Sequence, residues 1–94
     1  MTITLSELAS RVGGELVGDG TTAITGLGSL GTAQPGEISH LSSPVYRQHL
    51  PTTQASAVIL QADDVEHSPC AAIVVENPYL TFARVSQFFA RSEG

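Results

Sequence analysis

The chain has 94 residues, which bounds it to one domain whose elements share a modest core. Nine carboxylates stand against four arginines and no lysine, a net charge of −5, so no basic patch is available for a nucleic acid or an anionic membrane. The single cysteine, Cys70, excludes an internal disulfide framework and fits a reducing, cytoplasmic setting, and no apolar run reaches the length of a membrane span. Thr4-Leu5-Ser6-Glu7 has capping-box spacing. Leu5, Leu8, Ala9 and Val12 follow at helical intervals, and Gly13-Gly14 stops the helix. Residues 15–18 read as a short strand, Gly18-Asp19-Gly20 as a hairpin-type turn, and residues 22–27 as the returning strand.

A glycine-rich loop then reaches the turn signal Pro35-Gly36, and residues 38–41 form a third strand. Ser43-Pro44 pairs an N-cap with proline at the first helical position, and the short helix it opens ends near Leu50-Pro51. Residues 57–60 and 71–75 are continuous apolar runs, as expected of strands covered on both faces. Between them Asp63-Asp64 begins a polar crossover. Asn77-Pro78 repeats the cap-plus-proline pattern and opens a last helix running to Arg91. Its predicted apolar face holds Tyr79, Phe82, Ala83, Ser86, Phe89 and Ala90, flanked by Leu80, Val85 and Phe88. Arg84, Gln87 and Arg91 leave only a narrow polar stripe, so the apolar arc exceeds what a one-sided surface helix needs. Either the sheet wraps this helix deeply or the helix also packs on something else. Ser92-Glu93-Gly94 closes without further structure, so residues 1–94 are expected to be one domain of a longer chain. The expected fold is α/β: a small mixed sheet of about five strands flanked by N- and C-terminal helices.

Gly26-Leu27-Gly28-Ser29-Leu30-Gly31 satisfies the G-x-G-x-x-G pattern. A dinucleotide site needs those glycines to open a helix aimed at the pyrophosphate, and Pro35-Gly36 breaks the chain first. The glycines read instead as a loop needing positive φ. His40, His49, His67 and Cys70 lack metal-ligand spacing, and no nucleophile elbow is present. Cys70, between Pro69 and an apolar strand, reads as a packed, inert thiol. No self-contained catalytic set, metal site or cofactor site is expected.

One constellation carries more. The strand ending at Leu41, the Ser42-Ser43-Pro44 turn and one helical turn are predicted to gather His40, Ser43 and Tyr46 on one side. An imidazole plane, a hydroxyl and a phenol so arranged can hold a flat base. The competing reading is structural: Ser43 caps a helix, Tyr46 covers the sheet edge and His40 faces solvent.

Several segments resemble the N-terminal domain of UDP-3-O-acylglucosamine N-acyltransferase, an enzyme family of lipid A biosynthesis. They include Leu5-Ser6-Glu7-Leu8-Ala9, Gly14-Glu15-Leu16-Val17-Gly18-Asp19-Gly20, Ala33-Gln34-Pro35-Gly36-Glu37-Ile38-Ser39 and Pro44-Val45-Tyr46-Arg47. Val75-Glu76-Asn77-Pro78-Tyr79-Leu80-Thr81-Phe82-Ala83 is the most specific of them. The resemblance implies a domain that grips the uridine of UDP-3-O-acylglucosamine. The family pattern of aromatic, asparagine and tyrosine at three-residue steps falls on His40, Ser43 and Tyr46, where only the tyrosine is kept. The resemblance further implies that acyl transfer from acyl carrier protein occurs on a hexapeptide-repeat β-helix, which also forms the trimer. No such repeat is found here, so none of the three histidines inherits the family's catalytic role. The fold is also similar to the uridine-binding N-terminal domain of a Mur ligase, but Leu30-Gly31-Thr32 stands where those domains carry Asp-Ser-Arg. A ligand-free docking module is the third alternative, favoured by the wide apolar face of the last helix and the two replaced base contacts.

Overall fold

The computed structural model describes residues 2–91. Strand β1 (Ile3–Thr4) leads directly into helix α1 (Leu5–Val12), where Thr4 caps the first turn by accepting from the Glu7 N–H at 3.2 Å. Gly13 ends the helix in the left-handed region, φ 72°. The Glu7 carboxylate binds Arg11 one turn on, so only half of the predicted capping box forms. The remaining elements are β2 (Glu15–Val17), β3 (Ala23–Ile24), β4 (Gly26–Leu27), β5 (Glu37–His40), a 3-10 run (Pro44–Thr52), β6 (Ala57–Leu60), a second 3-10 run (Ala62–His67), β7 (Ala71–Val74) and α2 (Pro78–Arg91).

Five strands form one mixed sheet in the order β2-β7-β6-β5-β4. Strands β4, β5, β6 and β7 run parallel, and β2 joins the β7 edge antiparallel, with Leu16 opposite Ile73. The α/β class and the five-strand mixed sheet with terminal helices are thus as expected. The two apolar runs occupy inner positions, and every residue of β6 is buried.

The sheet separates two cores. Ile38, Ala57, Ile59 and Ile73 face α1 and α2, packing with Leu5, Leu8 and Val85. Val58, Leu60 and Ala72 face the other way, onto Leu30, Leu41, Leu50 and Ala55. All three parallel connections cross on that second side, two of them as 3-10 runs rather than α-helices. Ser39 points into the second core, fully buried, and its hydroxyl has no hydrogen-bond partner among the described residues.

Three expectations are corrected. Gly18-Asp19-Gly20 does not join a hairpin: β2 pairs with β7, and the segment expected to return splits between two sheets. Ala23 and Ile24 pair with β1, burying Ile24 beside Ile3, while Gly26 and Leu27 pair with β5. Asp19 does form a tight local turn, accepting from the Thr21 N–H and hydroxyl. Those bonds, the hydroxyl's first, lower its carboxyl below the ordinary value. Second, Gly26, Gly28 and Gly31 do not adopt positive φ. Gly28 is needed for space, since a Cβ there would lie 2.6 Å from Glu37 Oε1 and 2.9 Å from the Ala33 backbone.

Third, the buried side of α2 centres on Pro78, Thr81 and Val85, with Phe82, Phe88 and Phe89 partly covered. Tyr79, Leu80, Ala83 and Ala90 are exposed. The predicted face differs because it was centred on the aromatic residues, whereas Thr81 is buried on the side where α2 packs against β5 and β6. Ser92-Glu93-Gly94 lie outside the described residues. Among the described residues no helix is long and apolar enough to cross a membrane.

Candidate functional site

Ligands of open α/β sheets collect beyond the carboxyl ends of the parallel strands, where backbone groups and loops diverge. Here that edge carries residues 28–31 after β4, residues 41–43 after β5, and Gln61 after β6. A cleft of about 450 Å³ opens between the first two, lined by residues 29–31, His40, Ser42, Tyr46 and His49. Its volume is in the range of small-molecule sites. A larger and more open cleft, about 830 Å³, lies toward β7 and α2. Glu15, Asp63 and Glu76 line it with no basic side chain and no aromatic ring, which disfavours a nucleotide there.

His40 ends β5 on the side of α2. Its ring centroid is 4.1 Å from that of Phe82, tilted 32°, and 6.4 Å from that of Tyr79. Its Nδ1 is within hydrogen-bond reach of Ser42 Oγ. Burial holds the imidazole below its ordinary value, so the neutral ring is favoured. The expected solvent-facing histidine is therefore half-buried and packed.

Ser43 caps the first 3-10 run, its hydroxyl accepting from the Val45 N–H at 3.4 Å. Pro44 follows at the first turn, as the sequence pattern required. An α-helix could not continue through the end of this run, because Pro51 offers no N–H and its ring would clash with an α-helical carbonyl one turn back. Three residues per turn align Tyr46 with His49, whose ring centroids are 6.4 Å apart and which both line the cleft. Tyr46 is 56% exposed, leaving its ring open to a partner.

The structure thus brings His40 and Tyr46 to one cleft, while Ser43 lines a small neighbouring one with Arg47, Gln61 and Asp64. The hydroxyl beside His40 in the larger of these two is Ser42. Extended-chain alternation puts residues 40 and 42 on one side, which was the available signal for Ser42. His49 was signalled only if the helix was read at three residues per turn. Residues 29–31 belong to the glycine motif declined as a phosphate loop; their loop reaches the cleft through the β4–β5 pairing.

A protein-family model for UDP-3-O-(3-hydroxymyristoyl) glucosamine N-acyltransferase, LpxD, matches residues 21–88. The match takes in more than two thirds of the chain and every residue lining the His40–Tyr46 cleft. The chain belongs to the LpxD family. This LpxD-family chain is therefore related to acyltransferases of lipid A biosynthesis, and the Mur-ligase alternative is set aside. The segments at residues 5–9 and 14–20 precede the matched span. Among the described residues, no three His, Cys, Asp or Glu side chains converge as a metal site. Burial, partly offset by the Ser68 hydroxyl, pushes the Cys70 thiol up, which favours its protonated form.

Proposed function

We propose that this chain is the substrate-recognition domain of an LpxD-family N-acyltransferase, binding the uridine of UDP-3-O-acylglucosamine in the His40–Tyr46 cleft. The observation that carries the proposal is the coincidence of a family match with an aromatic-lined cleft at the carboxyl ends of β4 and β5. Tyr46 supplies an open ring, His40 a second plane fixed by Phe82, and Ser42 the polar edge, with Ser43 bordering it from the neighbouring cleft. Stacking is worth roughly 1–3 kcal/mol per base and needs no basic groove, which suits an acidic chain. Transfer of the 3-hydroxyacyl group from acyl carrier protein to the sugar amine is assigned to other parts of the enzyme, since these residues present no catalytic set.

Calorimetric titration with UDP tests the reading. The wild-type chain should bind, and Tyr46→Ala should weaken binding by roughly 1–3 kcal/mol. An unchanged dissociation constant in Tyr46→Ala would return Tyr46 to a structural role. A second reading, a ligand-free docking module, is favoured by Tyr79 and Leu80, which remain 69% and 48% exposed on α2. A wild-type chain indifferent to UDP would leave that reading in place.

A further inference from the structure

The 3-10 run that carries Tyr46 and His49 buries one side chain, Leu50. Residues 45–49 are all exposed. Apolar packing therefore fixes one point of the segment, and one point does not fix its direction. The weaker hydrogen-bond geometry of a 3-10 helix adds little stiffness. Two polar contacts supply the rest. Arg47 Nε donates to Asp64 Oδ1 at 2.7 Å, and the Asp64 side chain is only 6% exposed, so losing that donor is costly. At the other end Thr53, the C-cap residue, donates through Oγ1 to the Leu30 carbonyl at 2.7 Å. That carbonyl belongs to the loop forming the opposite wall of the cleft. Neither Asp64 nor Thr53 lines the cleft itself.

We propose that Asp64 and Thr53 are positioning residues for the nucleotide cleft. Together they set where Tyr46 and His49 stand relative to His40 and the residue 29–31 loop, and so set UDP affinity without touching the ligand. The inference rests on the uridine-binding reading above. Both contacts join separate chain segments across 17 and 23 residues, so each converts tertiary packing into the spacing of the two walls.

The test uses the 94-residue chain, UDP as probe, and the ring resonances of Tyr46 and His49 without ligand. Thr53→Val removes the donor, Thr53→Ser keeps it, and Asp64→Asn removes the charge that strengthens the Arg47 contact. Thr53→Val and Asp64→Asn should each weaken UDP binding about two- to tenfold, the range expected for one such hydrogen bond. Thr53→Ser should bind as wild type does. The Tyr46 and His49 signals should shift or broaden in the weakened variants while the amide signals of the sheet hold. If wild type binds UDP and both loss variants bind it equally well, the positioning role is overturned and the uridine reading stands. If Thr53→Ser is as weak as Thr53→Val, the loss is one of packing and the role of the hydroxyl is overturned. If wild type does not bind UDP, the uridine reading fails and this inference with it. Should Asp64→Asn fail to fold, the Thr53 pair decides.

Discussion

His40 is packed on Phe82 with its ring half-buried, and its imidazole sits below the ordinary value of 6.5 because burial disfavours the charged form. The unfolded chain therefore takes up the proton first as pH falls. The stability tied to this residue is complete above about pH 6.5 and is lost as pH falls from there through the lower folded value. His40→Phe should remove that part of the pH dependence. The melting temperature of wild type should drop more steeply than that of the variant between about pH 7 and pH 5. Superimposed profiles would mean that burial of the imidazole has no effect on stability. The same substitution enlarges the stacking plane beside Tyr46. At Ser43 the expected change is a gain: Ser43→Asn retains a good N-cap before Pro44 and adds an amide able to pair with a uracil edge. It should tighten UDP by about 0.5–1.5 kcal/mol, read by titration against wild type. No gain, with the helix intact, would place residue 43 outside the base contact.

Single elements differ in how openly their sequences declare them. Strands β6 and β7 were legible because burial on both faces demands unbroken apolar runs. The caps at Thr4, Ser43 and Asn77 were legible because each satisfies a backbone N–H locally. The partner of β2 was not legible. A local turn signal at Gly18-Asp19-Gly20 competes with the gain from placing Leu16 against Ile73, and the long-range pairing prevails. Within β5, Ser39 is a polar residue at a fully buried position, with no partner for its hydroxyl among the described residues. Ser39→Ala should therefore stabilise the chain, by about 0.5–1 kcal/mol after the small loss of packing, as measured by denaturant unfolding. Destabilisation by more than about 1 kcal/mol would reveal a partner, such as an ordered water, that the hydroxyl does need.

At the scale of the molecule, one sheet divides the apolar side chains into two cores, with the terminal helices on one side and the three parallel connections on the other. The cleft lies at the carboxyl ends of β4 and β5, and the proposed function gives it recognition rather than chemistry. The 94-residue chain should consequently show no acyl transfer from acyl carrier protein to a UDP-glucosamine acceptor. Measurable turnover by the purified chain would contradict its assignment as a recognition domain.

The sequence by itself determined the α/β class, the central strands, the capped helix starts and the family, because each depends on local periodicity or on the order of short motifs. It also singled out His40, Ser43 and Tyr46, since a strand end followed by a Ser-Pro turn limits where their side chains can go, and the structure puts the first and last of them in one cleft. Only the tertiary structure decided which strands pair, that the run after Ser43 is 3-10, and that residues 29–31 and His49 complete the cleft. It alone joined Arg47 to Asp64 and Thr53 to Leu30. Those outcomes turn on contacts between segments distant in sequence, where the burial available to each competing pairing, rather than any local signal, sets the result.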